Sequence, residues 1–188
     1  MRFPRPPFAA LGTLAALAAL AACGNSTGLP PAHVVNVVDT VSLYALDGTP
    51  LTAPSAYDVE TLRTVRTDVT TAYDFIFNID GAGRALLLPT GAVGLGKQSA
   101  ILVQSTSFDA VTDAPTSGYA DSTAVEIDSG TVAVIRSRPT QCSFGAIVFL
   151  YAKIEVLKID RVARRLDFQI LADLNCGYRE LRPGIPSR

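Results

Sequence analysis

Two stretches of the chain alternate between apolar and polar residues, and this period of two constrains the fold more than any other feature. They are residues 73–80 (YDFIFNID) and residues 165–174 (RLDFQILADL). A ten-residue helix would scatter the apolar side chains around its circumference, whereas a strand places them on one face. We expect the following side chains to point into the core: Tyr73, Phe75, Phe77, Ile79, Leu166, Phe168, Ile170, Ala172 and Leu174. We expect the intervening polar residues to face water: Asp74, Asn78, Asp80, Arg165, Asp167, Gln169 and Asp173.

Turn residues such as Asp47-Gly48, Asp80-Gly81 and Asp128-Ser129-Gly130 separate further β-like runs. The pattern predicts about nine or ten strands, near 35–45, 57–67, 73–79, 84–89, 99–105, 122–127, 131–137, 146–159 and 164–174. The alternation slips at Val156-Leu157, which predicts a β-bulge. A single helical turn is possible near Ser107 to Asp113. The sequence therefore predicts an all-β, single-domain antiparallel β-sandwich or closed barrel.

The N-terminus has the pattern of an export signal. Arg2 and Arg5 precede an apolar run from Phe8 to Ala22, which is shorter than the roughly 20 residues of a membrane-spanning helix. Ala19-Leu20-Ala21 is one possible cleavage site of an ordinary signal peptide. Leu20-Ala21-Ala22-Cys23 resembles the bacterial lipobox, and that resemblance implies that Cys23 is lipidated and becomes the mature N-terminus.

The resemblance to lipobox proteins divides the chain into four parts. Residues 1–22 form the lipoprotein signal peptide, 23–33 a flexible tether, 34–180 the all-β domain and 181–188 a C-terminal tail. Gly24, rather than Asp, follows the lipidated position, which by the same resemblance implies the outer membrane. We therefore expect an exported protein whose partner is a membrane, bound through the N-terminal lipid.

Two cysteines remain if Cys23 is acylated. Cys142 and Cys176 form an even pair in an oxidising compartment, where such a pair is usually a disulfide. Buried thiols and a metal site are the alternatives. A metal site is disfavoured because there is no Cys-x-x-Cys motif and His33, the single histidine, lies on the tether. We predict a Cys142–Cys176 disulfide.

The charge of the chain gives no indication of a nucleic-acid partner. Of 16 basic residues, Arg2 and Arg5 leave with the signal, so the mature chain has 14 basic and 17 acidic residues and a net charge of −3. Nucleic-acid binding needs a basic surface. A weak contact with an anionic partner is conceivable through five late arginines: Arg161, Arg164, Arg165, Arg179 and Arg182.

No constellation in the chain identifies a catalytic site or a cofactor. Histidine-dependent triads lack a histidine inside the domain. A Ser–Lys pair remains possible because Lys97, Lys153 and Lys158 exist, although Lys153 and Lys158 are expected at solvated strand positions. Paired carboxylates could in principle hydrolyse sugars, and Asp74, Asp80 and Asp128 could help to bind calcium, but no spaced Asp motif supplies its ligands.

Three segments resemble HmuY-type haem-binding lipoproteins: YDFIF at 73–77, FDAVTDAP with SGYADS at 108–122, and YAKIEVLKIDRVARRLDFQI at 151–170. The resemblance implies an all-β domain behind a lipobox. It does not extend to haem ligands, because the namesake uses two histidines and this domain has none. Tyr57, Tyr119 or Tyr151 could ligate iron in principle.

These observations predict a lipid-anchored cell-envelope protein that is a non-enzymatic binding or structural module. The first alternative is an HmuY-like carrier of a small ligand such as a porphyrin. The second is a hydrolase that uses lysine or paired carboxylates. No cofactor, metal or catalytic residue is expected.

Overall fold

The computed structural model describes residues 28–142 and 145–187, and Cys23 with the leader lies outside the described residues. Ten strands form the fold. They are β1 Val38–Tyr44, β2 Ala56–Asp58, β3 Arg63–Val65, β4 Phe75–Ile79, β5 Ala85–Pro89, β6 Ala100–Gln104, β7 Val125–Glu126, β8 Val132–Gln141, β9 Ile147–Asp160 and β10 Arg165–Asp173. In the described part of the chain, no helix has the length and apolar character needed to cross a membrane.

The strands form two antiparallel sheets of five strands each. Sheet I has the order β1-β10-β9-β8-β6, and sheet II has the order β3-β2-β4-β5-β7. The two sheets pack face to face, so the predicted all-β fold is confirmed as a β-sandwich and not as a closed barrel. Edge strands β1 and β3 border one open seam of the sandwich.

The main core lies between the sheets. Phe75 and Phe77 from sheet II meet Phe168 and Ile154 from sheet I, and all four are buried. The rings of Phe75 and Phe168 have centroids 5.9 Å apart in an edge-to-face arrangement. The strand alternation therefore predicts correctly which residues of β10 face this core, namely Leu166, Phe168, Ile170 and Ala172, and Leu174 just after the strand is partly buried against it.

The predicted bulge is confirmed in β9. Val156 pairs with Phe168 and Lys158 pairs with Asp167, so Leu157 is the extra residue opposite a single step of β10. Leu157 is 46% exposed, whereas Ile159 returns to the core face. The bulge thus restores the alternation after one residue, at the cost of leaving Leu157 in water.

One predicted strand is divided in the structure. The run at 57–67 is two short strands, β2 and β3, joined by a turn in which Leu62 has a positive φ of 53°. The region near Ser107 forms a single turn, as predicted, in which Ala110 N donates to Ser107 O at 3.1 Å.

Strand β8 continues past its predicted end at 137, through Pro139 to Gln141. Its register with β9 shifts between Arg136 and Pro139, which is the site of a second irregularity. Proline is tolerated in a strand at such a position because a ladder hydrogen bond is already missing there.

Polar residues that the alternation places on the outer face of sheet I are not all in water. Asp173 is 0% exposed and Lys153 is 2% exposed, contrary to the prediction that both are solvated. A second apolar cluster explains this, because Phe108, Val111 and Leu181 cover the outer face. Period two identifies the side of a strand that a residue occupies, but not what covers that side.

Strand β4 requires a similar correction. Phe75, Phe77 and Ile79 face the core as predicted, but Asp74 and Asn78 are also buried. Tyr73 precedes the strand and packs instead with Ala56 and Ile76 in a third cluster. The strand is central in sheet II, and side chains cover it on both faces.

The disulfide predicted from the cysteine count is present. Cys142 follows β8 and Cys176 follows β10, and their Cα atoms are 6.0 Å apart. The chain enters beside this bond: Tyr178 Oη donates to Pro30 O at 3.0 Å, and Asn175 Oδ1 accepts from His33 N and Val34 N at 2.9 Å each. Residues 28–34 therefore lie along the domain.

Candidate functional site

A cavity of about 260 Å³ opens at the seam between β1 of sheet I and the β2–β3 turn of sheet II. Most of its lining is aliphatic and comes from the start of β1 and the residues before it, from the end of β10 and the residue after it, and from the turn: Val35, Val38, Leu62, Ile170, Ala172 and Leu174. A more open groove of about 410 Å³ shares Tyr57 and Leu62 with it and adds Val41 and Arg63. Small-molecule sites are concave and mainly apolar in this way.

Tyr57 is a polar residue in the wall of this cavity. Its ring is 1% exposed and lies between Phe75, at a centroid distance of 5.7 Å, and Phe168, at 5.9 Å. Burial raises the pKa of the Tyr57 hydroxyl well above its usual value, and the nearby Asp39 and Asp58 carboxylates raise it further. The hydroxyl is therefore neutral and can donate one hydrogen bond. In the described residues, no side-chain hydrogen bond uses it.

Asp39 is the acidic residue of the cavity. In β1 it is two residues before Val41 and four before Leu43, so it occupies the core-facing side of the strand, opposite Ile170. An exposed carboxylate at the rim can accept hydrogen bonds from an ammonium or amide group of a ligand. Aliphatic walls with one phenol and one carboxylate fit a small apolar molecule that carries a hydrogen-bonding or cationic head.

Tyr57 is among the iron-ligand candidates predicted from the sequence, whereas Asp39 is not among the predicted site residues. A signal existed in VDTVSL at 38–43, where the alternation of Val41 and Leu43 places Asp39 on the apolar face. A charged residue at a core-facing strand position near a sheet edge indicates a polar opening into the core.

Tyr119 and Tyr151, the other two candidate iron ligands, lie together on the outer side of sheet I, with ring centroids 6.5 Å apart. Tyr119 Oη donates to Pro115 O at 3.0 Å, and Arg179 donates to Tyr151 Oη at 3.3 Å. Burial raises the pKa of Tyr119, which disfavours the phenolate form that binds iron. The structure does not bring Tyr57 to this pair.

A buried ionic cluster joins the two sheets. Asp74, 0% exposed, accepts from Val59 N at 2.7 Å, from Arg138 N at 2.7 Å and from Arg138 Nε at 3.1 Å. The same guanidinium donates to Asp58 Oδ1 at 3.0 Å. Burial raises the pKa of the Asp74 carboxyl, against the lowering effect of these donors. The irregularity in β8 directs Arg138 toward sheet II. The ion pairs of this cluster therefore link the two sheets.

The lysines and carboxylates considered for catalysis are dispersed. Lys153 Nζ donates to Phe108 O at 2.7 Å and to Val111 O at 3.0 Å, so it holds the segment that covers sheet I. Lys97 lies 3.6 Å from Asp121, and Lys158 lies 3.9 Å from Asp160. No Ser–Lys pair is among the hydrogen bonds of the described residues.

The three aspartates considered for calcium each meet a different arginine: Asp74 meets Arg138, Asp80 meets Arg84, and Asp128 meets Arg161. Within residues 28–142 and 145–187, no group of three or more His, Cys, Asp or Glu side chains could hold a metal ion.

The five late arginines do not form one patch. Arg161, Arg164 and Arg165 lie at the β9–β10 turn, whereas Arg179 and Arg182 follow β10 at the other end of that strand. Arg179 donates to Ala114 O and Pro115 O, and Arg182 lies 3.8 Å from Asp113.

Comparison with known proteins does not assign a family. No family model matches the chain. No curated protein is significantly similar to it.

Proposed function

We propose that this chain is a lipid-anchored protein of the cell envelope, with a non-enzymatic β-sandwich that binds a small apolar ligand at the seam between β1 and β3. The anchor is supported by the leader and by Leu20-Ala21-Ala22-Cys23. The disulfide is consistent with export, because such bonds persist in oxidising compartments. The binding role is carried by one observation, the cavity that Tyr57 and Asp39 border.

The ligand class follows from the walls of the cavity. About 260 Å³ is small beside the usual range of roughly 300–1,000 Å³ for ligand sites. The aliphatic lining favours a compact apolar body. Tyr57 Oη can donate to or accept from the head group, and Asp39 favours a positive charge on it. A small hydrophobic amine fits these requirements better than an anion does.

The anchor predicts a change of location in the Cys23→Ser variant. Loss of the acylated sulfur removes the hydrocarbon that holds the domain to the bilayer. We expect the variant to move from the membrane to the soluble fraction, and the mass of the wild-type protein to include fatty acids on Cys23. Cys142→Ser is the matched control and should stay with membranes. A Cys23→Ser protein that remains membrane-bound would contradict the anchor.

The cavity predicts binding of 1-aminoanthracene, a small aromatic amine whose fluorescence rises in apolar sites. We expect saturable binding to the wild-type protein and about 5- to 10-fold weaker binding to Tyr57→Phe, because one hydrogen bond contributes about 1 kcal/mol. Tyr44→Phe, a change of the same kind at the end of β1, should bind as the wild type does. Fluorescence titration measures all three.

Two results of this titration would contradict the proposed binding site. No fluorescence increase at tens of micromolar protein would remove the ligand-binding role and leave a structural module. Equal affinity of Tyr57→Phe and wild type would place the binding elsewhere. A parallel titration with haemin tests the porphyrin-carrier alternative, for which a shifted Soret band is the expected signal.

A further inference from the structure

One end of the sandwich is formed by three segments without charged residues, with Arg136 and Glu60 at its border. It comprises Leu29–Pro31, Ala146–Phe149 and Cys176–Gly177, and we call it the disulfide end. The surrounding sequence, residues 28–38, 139–152 and 174–178, contains no Lys, Arg, Asp or Glu. Charged residues make up 18% of the chain, so three uncharged segments that meet at one place set this end apart.

Apolar groups of the disulfide end are open to solvent. Ile147 is 74% exposed and Phe149 is 36% exposed. A shallow apolar depression of about 490 Å³ lies between the disulfide, Leu29–Pro31 and the side of Val148. Arg136, whose guanidinium lies 4.7 Å from the centroid of Phe149, adds a positive charge beside this surface. An exposed apolar area with this composition is typical of an interaction surface.

The chain fixes this end near its N-terminal anchor. Leu29 packs against Gly177, where a β-carbon would come within 2.5 Å of its side chain, and Pro30 O accepts from Tyr178 Oη. Cys23 precedes Gly28 by five residues, and five extended residues span at most about 18 Å. A lipid on Cys23 therefore holds the disulfide end within that distance of the bilayer.

The opposite end has the reverse character. The β9–β10 turn at 161–164 is flanked by Asp160 and Arg165 and contains Arg161 and Arg164. Strand β9 has 14 residues, so the two ends are about 45 Å apart along it. Val162, at the tip of the turn, is 97% exposed.

We propose that the disulfide end rests in the headgroup region of the bilayer that carries the Cys23 anchor, so that the sandwich stands on the membrane with its charged end in water. This inference depends on the anchor of the proposed function. We identify the bilayer as the partner of this surface because the short connection from a lipidated Cys23 would hold Ile147 and Phe149 beside it. Interfacial burial of a few apolar side chains would then restrict the orientation of the domain.

The test uses the absence of tryptophan from the chain. Ile147→Trp and Val162→Trp each introduce a single fluorophore at an exposed position, one at each end. The full-length, lipid-modified protein is reconstituted into vesicles of phosphatidylcholine and phosphatidylglycerol, with or without brominated acyl chains. We expect the emission of Ile147→Trp to shift to shorter wavelength and to fall at least about twofold with brominated lipid, because interfacial residues reach some 5–10 Å into the bilayer. Val162→Trp should be unaffected.

Flotation of the same vesicles separates the two hypotheses. Protein that does not float with vesicles would contradict the anchor, and the inference would fall with it. Protein that floats, with Ile147→Trp quenched no more than Val162→Trp, would leave the anchor intact and overturn the inference alone. A short-wavelength Ile147→Trp emission that brominated lipid does not quench would show that protein covers this end, which also overturns it.

Discussion

Asp74→Ala is expected to destabilise the domain by about 3–5 kcal/mol, because it removes a buried carboxylate that accepts three hydrogen bonds, and each donor left without an acceptor costs about 1–3 kcal/mol. The substitution removes the acceptor of Arg138 Nε and of the Val59 and Arg138 amides. The bond from Val59 is buried and the two from Arg138 are partly buried, and water replaces such lost hydrogen bonds poorly. Urea unfolding followed by circular dichroism measures the loss.

Asp68→Ala is the matched control for this prediction. Asp68 also pairs with an arginine, Arg66, at 2.6 Å, but both side chains are partly exposed. Exposed ion pairs contribute little to stability, so this variant should unfold near the wild-type midpoint. If Asp74→Ala lost no more stability than Asp68→Ala, the cluster would not hold the sheets together. Asp74→Asn, which keeps one acceptor oxygen, should fall between the two.

The Cys142→Ala/Cys176→Ala double variant is expected to lose about 3–4 kcal/mol, because the bond closes a loop of 34 residues in the unfolded chain. The loss should appear as a lower midpoint in urea under non-reducing conditions. Dithiothreitol should lower the stability of the wild type toward that of the variant and leave the variant unchanged. Equal stability of wild type and variant without reductant would contradict a stabilising disulfide.

The position of the disulfide predicts which part of the domain opens first when the bond is removed. Cys142 precedes the β8–β9 turn and Cys176 follows β10, and Leu29–Pro31 pass beside both. Loss of the bond should therefore increase local opening at the disulfide end first. Hydrogen exchange at the amides of residue 142 and Tyr178 would report this, since Cys142 N–H···O=C Ala146 and Tyr178 N–H···O=C Asn175 bonds close the two segments.

Local pattern predicted most strands because one apolar core lies between the sheets and the strands alternate apolar residues toward it. The inward residues of β10 and the bulge at Leu157 follow from period two: one extra residue would turn every later side chain to the opposite face unless that residue bulges out of the pairing. The cysteine pairing followed from counting, because one pair remains if Cys23 is acylated. The sequence pattern did not predict that β2 and β3 are separate strands, because the tight turn at Leu62 lies within a continuous β-like run.

The candidate site was less predictable than the fold. Tyr57 and Asp39 are 18 residues apart and come from different sheets, so their proximity depends on how the sheets stack. Asp74 and Arg138 are 64 residues apart, and the irregularity in β8 is needed to bring them together. The apolar–polar alternation along one segment gives no information about which distant residues will lie beside it in the folded domain.

The sequence alone determined the β class, the inward faces of β10, the bulge and the pair of cysteines that can bond, because each depends on neighbours in the chain or on composition. Tertiary structure decided a sandwich over a barrel, the burial of Asp74, Lys153 and Asp173, the cavity at Tyr57 and the uncharged disulfide end. These features depend on which segments cover each face of a strand. Packing among residues that are far apart in the chain determines that coverage.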